Sequence, residues 1–338
     1  MQTKYNVGVL GCGAIFDRHL SAIELNHDNF TLVGIHDPKP DLQAKYADQL
    51  KVKGYQSEQE LYNDKEVNCV VILSPNHLHF KQAHDALSYG KHVIMEKPAT
   101  LKYDDLVTLE NYAKTKNLEI FTILQVRLNP SVTTIRKLLE TGLLGRLRGA
   151  SLIQRWQRPL GYFNGWRGSM ETGGGILREF AIHYLDAMQY LVGIPEIVAS
   201  TGFNTKFSGT NVCDTVYALF DFGLCGGNLE VTISSEPKNL ECSLSLMFDQ
   251  GFIKLGGKSL DVIIEAQFSN DAIIAKFEVL KLQVDDQAQH YLEAKGGASP
   301  YHPELYRRII HNPNEFRLEQ TKKVIQLVEN IYSKILNK

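Results

Sequence analysis

The chain has no apolar run approaching the ~18 residues that a transmembrane helix needs, no internal repeat and no low-complexity stretch. It also lacks a dominant charge: 36 Lys and Arg face 38 Asp and Glu, a formal net charge of −2. With no basic stripe, neither nucleic acid nor an anionic membrane is an expected partner. Cysteine is scarce, at five residues (Cys12, Cys69, Cys213, Cys225 and Cys242), odd in number, scattered and without a C-x-x-C pair. That argues against a disulfide framework or a cysteine zinc site, so a cytoplasmic location is expected and each thiol reads as a small buried hydrophobe. The opening MQTKYNVGVLGCG runs straight into a strand and a glycine loop, so no signal peptide is expected.

What is present divides in two. A length of 338 residues suggests two domains at about 150 residues each. Strand-like runs at Tyr5–Leu10, Thr31–His36, Val67–Leu73, His92–Met95 and Glu119–Leu124 alternate with helical patterns near 14–26, 40–50, 76–89 and 102–116. Ser57 with Glu60 forms a capping-box signal for one more short helix. Parallel strands need long crossovers, so this alternation predicts a doubly wound parallel sheet over residues 1–125. Residues 126–338 read differently. A helix near 130–141 and a strand around 147–157 precede Gly173-Gly174-Gly175, which opens a helix to about Leu191. Strand-like runs then follow in succession at 197–204, 214–222, 227–234, 242–248, 251–256 and 260–266, before two helices near 301–312 and 318–336. The predicted fold class is α/β: an N-terminal Rossmann sheet, then an α+β substrate-binding domain on a large mixed or antiparallel open sheet.

Three places carry chemistry. Gly11-Cys12-Gly13-Ala14-Ile15 joins the first strand to a helix: Gly11 allows the tight turn, and Gly13 lets backbone approach a pyrophosphate at the helix N-terminus. The third glycine of the usual pattern is Phe16 here. Asp37, 24 residues past Gly13, stands near the ~20-residue spacing of the carboxylate that binds the adenosine ribose. Beyond the fourth strand, Glu96-Lys97-Pro98 puts a lysine at the carboxyl edge of the sheet, where it is either a solvated surface cation or a ligand to a substrate hydroxyl. After the triple glycine, Glu179, His183 and Asp186 share a helix face. That face suits an acid/base pair, a core histidine or a metal site; its spacing is not H-E-x-x-H, and no metal is expected.

The motifs GCGAIFDRHLSAI (11–23), HDP (36–38), SPNHLH (74–79), EKP (96–98), GGGILREFAIHYLD (173–186) and YHPELY (301–306) together resemble the Gfo/Idh/MocA oxidoreductase family over nearly the whole chain. The resemblance implies an NAD-dependent dehydrogenase acting on CH–OH groups of sugars, NAD being preferred to NADP because Asp37 is followed by no close arginine. It implies Gly11, Gly13, Ala14, Ile15, Asp37, Ser74, Asn76, His79, Glu96 and Lys97 at the cofactor, with Lys97, His183 and Glu179 as the catalytic set. The family pattern usually has aspartate where Glu179 stands. A homo-oligomer, dimer or tetramer, through the C-terminal sheet is also implied.

Within the family, QVRLNP (125–130), RWQRP (155–159), Tyr162-Phe163 and GWRG (165–168) resemble the nucleotide-sugar branch, which includes UDP-N-acetylglucosaminuronate 3-dehydrogenases. The substrate contacts expected are Arg127, Asn129, Arg158, Trp166, Arg167, His183 and Tyr301. Arg155, Arg158 and Arg167 have no carboxylate among residues 147–170, and a diphosphate would supply the missing charge. The expected function is hydride transfer at a sugar hydroxyl, the 3-position of a nucleotide-linked sugar. A free polyol or sugar dehydrogenase and a non-catalytic cofactor-binding regulator are the alternatives.

Overall fold

A computed structural model describes residues 4–292 and 301–336, and among them forms two compact units. The first unit holds β1 (Tyr5–Leu10), α1 (Phe16–Leu25), β2 (Phe30–His36), α2 (Pro40–Leu50), β3 (Lys53–Gly54), α3 (Glu58–Asn63), β4 (Cys69–Ile72), α4 (His79–Ser88), β5 (His92–Met95), α5 (Tyr103–Lys116) and β6 (Ile120–Thr122). Its six strands are all parallel, in the order β3-β2-β1-β4-β5-β6. The central strands are apolar on both faces, since Val7, Val9, Val70, Val71, Val93 and Ile94 are wholly buried, as a sheet with helices on each side requires. At α3 the Ser57 hydroxyl accepts the Glu60 N–H at 3.1 Å, and the Glu60 carboxylate takes the Gln56 N–H, one residue before the partner a capping box would use.

The second unit holds α6 (Pro130–Glu140), β7 (Leu147–Arg155), a π-helical turn (Leu177–Ala181), α7 (Ile182–Val192), β8 (Glu196–Phe203), β9 (Thr215–Asp221), β10 (Gly226–Thr232), β11 (Glu241–Phe248), β12 (Gly251–Gly256), β13 (Val262–Phe268) and α8 (Asp271–Leu292). The strands form one mixed sheet, β13-β12-β11-β7-β10-β9-β8, in which only β7 and β10 run parallel. Leu152, Leu229, Val231, Leu244 and Leu246 bury the inner face, while Tyr217, Leu219 and Met247 stand exposed on strands of the same sheet.

Two features depart from the expected layout. The 22-residue α8 is a helix that the sequence reading left out. Its buried Ile273, Phe277, Leu280, Val284 and Ala288 keep helical spacing, but exposed Ile274, Val279 and Leu282 blur the two-faced pattern. The linear division at 125/126 also needs correction. The first unit takes in Tyr291–Lys322 as well as residues up to Ile123, because α9 (Tyr301–His311) returns to α1. There Asn26 Nδ2 donates to Pro303 O at 3.0 Å, and the buried Tyr306 ring meets Phe30 edge-on at 5.0 Å. α10 (Leu318–Leu336) carries the chain on into the second unit.

Candidate active site

In the first unit, the turn after β1 has the shape that a pyrophosphate needs. Gly11 sits at φ +98°, and a Cβ there would come within 3.1 Å of the Leu73 backbone; a Cβ on the exposed Gly13 would meet nothing within 4 Å. The absent third glycine is explained by Phe16, whose side chain turns inward and packs edge-on against Tyr46 at 4.7 Å. Asp37, at the end of β2, is held in place by backbone: Oδ2 accepts the Cys12 N–H at 2.7 Å and Oδ1 the Lys39 N–H at 2.9 Å. Each oxygen keeps a second lone pair for a ribose hydroxyl. An open glycine surface beside a fixed, nearly buried carboxylate fits an adenine dinucleotide. Ala14 is exposed and Ile15 half-buried at the same turn.

The remaining predicted cofactor residues divide between surface and scaffold. Lys97 is half-buried beside a cis Lys97-Pro98 bond. Glu96 turns inward, its Oε1 toward His19 Nε2 at 3.1 Å and its Oε2 accepting the Lys97 N–H at 3.0 Å. Burial alone would raise the Glu96 carboxyl, but hydrogen bonds and charge from His19 and His302 hold it well below the usual carboxylate range. His79 is not a surface ligand: its ring is buried, with Nδ1 2.7 Å from Pro98 O and Nε2 2.9 Å from Ser74 O. It ties the loop after β4 to the loop after β5. Ser74 donates its hydroxyl to Gln82, and Asn76 is buried.

In the second unit, the triple glycine is a packing requirement. Gly174 and Gly175 have φ of +79° and +74°, and a Cβ on Gly175 would fall 2.8 Å from Met170 Sδ. These residues lead into the π-helical turn, whose Leu177 N–H donates to the Tyr332 hydroxyl at 2.9 Å. π-turns widen the helix by one residue and recur at functional sites. This one carries Glu179 and delivers His183, half-buried, in the first turn of α7. Glu179 Oε1 accepts hydrogen bonds from the Tyr162 hydroxyl at 2.7 Å and from Arg167 Nε at 3.1 Å. The third residue of the predicted face is accounted for otherwise: Asp186 receives Arg127 Nε and Nη2 at 2.6 and 2.5 Å, both side chains buried. Asp186 is thus committed to Arg127.

Two of the three arginines expected to need an external anion are neutralised within the chain. Arg155 lies between Glu230, diagonal to it on β10, and Glu241, directly opposite it on β11, at 2.6 and 2.9 Å. Arg167 has Glu179. Both charges are met by carboxylates outside residues 147–170, so neither requires an external anion. Arg158 differs: among the described residues it makes no ion pair. Its guanidinium donates to Gln157 O and Asn239 Oδ1, and stacks 4.7 Å over Trp156 and 4.8 Å over Phe180. Burial depresses its pKa, partly offset by Tyr162, Tyr184 and Glu179. Arg127 is corrected from a substrate arginine to a buried structural cation, and Asn129 donates its amide to Ser259 O from a buried position. Trp166 is half-buried under the Arg167 guanidinium at 4.4 Å. Tyr301 is buried at the start of α9, in the first unit. The sequence reading passed over Tyr162 as a carboxylate partner, and the π-turn has no sequence signature beyond its glycines.

Comparison with known proteins adds to this geometry. Residues 5–123 match the family described as an oxidoreductase family with an NAD-binding Rossmann fold, and residues 132–254 match the GFO/IDH/MocA C-terminal domain. A 2,7-anhydro-N-acetylneuraminate hydratase of Escherichia coli is 26% identical over 85% of this chain and 72% of its own length. A levoglucosan dehydrogenase of Pseudarthrobacter phenanthrenivorans is 31% identical over 47% of this chain, which spans 42% of that protein. The WlbA dehydrogenase of Bordetella pertussis, solved with NADH and UDP-GlcNAcA, shares the fold at a TM-score of 0.86 and 24% identity, over 99% of this chain and 97% of that one. No helix among the described residues is long and apolar enough to cross a membrane.

Proposed function

Since this chain belongs to the Gfo/Idh/MocA oxidoreductase family and carries its NAD-binding Rossmann domain, we propose that it oxidises a ring hydroxyl, the 3-hydroxyl, of a nucleotide-linked sugar. The observation that carries the nucleotide is Arg158, a half-buried guanidinium that makes no ion pair among the described residues and is wedged between aromatic rings. A permanently charged group in that setting suits a diphosphate, and Trp156 and Tyr162 offer faces to a planar base.

Residue roles follow from chemistry. Bound NAD supplies the hydride-accepting ring. His183 is proposed to take the hydroxyl proton, and Lys97 to donate a hydrogen bond to a substrate hydroxyl. Glu179, anchored by Tyr162 and Arg167, places negative charge one helical turn before His183 and steadies the imidazolium once formed. Its two anchors bear the geometric load that an aspartate would carry with a shorter arm. The exposed Tyr217, Leu219 and Met247 on the seven-stranded sheet are proposed to meet a second copy of the chain, which would cover them.

The test compares a UDP-sugar with its free sugar in wild type and in Arg158→Ala. Arg158→Ala is expected to raise KM for the UDP form by 10-fold or more and leave the free sugar unaffected; equal efficiency on both sugars in wild type overturns the nucleotide reading. Lys97→Ala and His183→Ala are each expected to lower turnover by about 10² or more with cofactor affinity little changed. Product is followed alongside NADH absorbance, since a hydration leaves no net change in cofactor.

A further inference from the structure

We propose that the first unit binds a divalent transition metal, with zinc the best match, through His19, Glu96 and His302. The three residues come from distant points in the chain: α1, the end of β5, and the second residue of α9. Both histidines are fully buried, and Glu96 is nearly so. One ligand atom from each lies within 4.8 Å of the others. His19 Nε2 stands 3.1 Å and His302 Nε2 3.6 Å from the same oxygen, Glu96 Oε1. Tetrahedral zinc with ligands at about 2.0–2.1 Å holds them roughly 3.3 Å apart, between those two spacings.

Two further observations separate a metal site from an ordinary buried hydrogen bond. Among the described residues, the fully buried His302 has no hydrogen-bond partner at Nδ1, and its Nε2 has only the loose 3.6 Å approach to Glu96 Oε1. A buried imidazole nitrogen left in this way is unfavourable unless something meets its lone pair. The outer contacts are also those of a ligand set. His19 Nδ1 is 2.8 Å from the Tyr306 hydroxyl, on the opposite side of the ring from the Nε2 that faces Glu96, and Glu96 Oε2 is fixed by the Lys97 N–H. With no exposed member, such a centre is structural: it would fasten α9 to α1 and to the end of β5.

The experiment uses the full chain. Protein stripped with a chelator is titrated with Zn²⁺ against a chromophoric competitor, and bound metal is measured by mass spectrometry. One zinc per chain, a raised melting temperature, and affinity reduced at least 100-fold in His302→Gln are expected. Tyr306→Phe, which removes only an outer contact, is expected to weaken binding about 10- to 100-fold. Co²⁺ added to wild-type protein should give the intense visible bands of a tetrahedral centre, a readout that survives should a variant fail to fold. Less than a tenth of a metal ion per chain with no cobalt spectrum, or unchanged uptake in a folded His302→Gln, overturns the proposal.

Discussion

Replacing Asp186 by Asn tests whether Arg127 is a structural cation. The side-chain exposures are 2% for Arg127 and 1% for Asp186, and the two share hydrogen bonds of 2.6 and 2.5 Å. Asparagine keeps the shape, yet removes the carboxylate that takes the Nε and Nη2 hydrogen bonds and presents an NH₂ where an acceptor stood. Arginine cannot shed its proton, so a positive charge is left buried. Breaking a buried pair from one side costs about 3–5 kcal/mol. The Tyr190 ring, 5.0 Å from the Arg127 guanidinium, offsets part of this, so the lower end, about 3 kcal/mol, is expected. For a unit of this size that corresponds to a melting point lower by roughly 6–12 °C. Calorimetry at neutral pH reads it directly. The double change Arg127→Met with Asp186→Leu should recover most of the loss, because apolar groups of similar volume replace a buried pair at little cost. A loss below about 1 kcal/mol in Asp186→Asn would refute the reasoning, since it would mean the guanidinium has another anion. If the recovered double variant also shows a raised sugar KM, Arg127 touches substrate after all.

Other outcomes follow from groups already placed. Asp37→Ser, which keeps one hydroxyl, should weaken NADH by about 10- to 100-fold, the scale of one bond to a charged acceptor, while narrowing the gap to NADPH; cofactor titration by fluorescence measures both. Asp214 is fully buried, and burial would raise its pKa, but the N–H groups of Lys206 and Phe207 and the hydroxyls of Thr215 and Thr205 outweigh this and lower it. A depressed folded pKa contributes stability above the unfolded value near 3.9 and loses it as pH falls through the folded one. Asp214→Asn should therefore flatten the acid limb of a melting-temperature profile below about pH 4, and an identical acid limb would count against that account.

Much of this molecule was written in local pattern. β1, Gly11 and Gly13, Asp37 and the strand–helix alternation were legible because each obeys a short-range rule, and the strands of the mixed sheet because Leu229, Val231 and Ile233 alternate with polar neighbours. What stayed hidden depends on pairing at long range. Arg155 looked unneutralised because Glu230 and Glu241 reach it only through sheet register, 75 and 86 residues away. His79 and Glu96 sat inside recognisable motifs, yet a motif does not say whether a side chain faces ligand or scaffold. His19 and His302 were inside quoted motifs too, but nothing local joins positions so far apart.

The return of α9 to α1 has a consequence for biosynthesis. On the ribosome, the chain completes all six strands of the Rossmann sheet before residue 123 is passed, yet the surface formed by His19, Ala22 and Phe30 waits for Tyr306. That surface stays uncovered while the whole second unit is being made. At 5–20 residues per second, the wait is on the order of ten to forty seconds. A nascent nucleotide-binding fold missing one wall for that long is a natural client for a holding chaperone. A fragment ending at residue 125 should accordingly be aggregation-prone, whereas a circular permutant placing 301–322 ahead of Tyr5 would close the fold as it emerges.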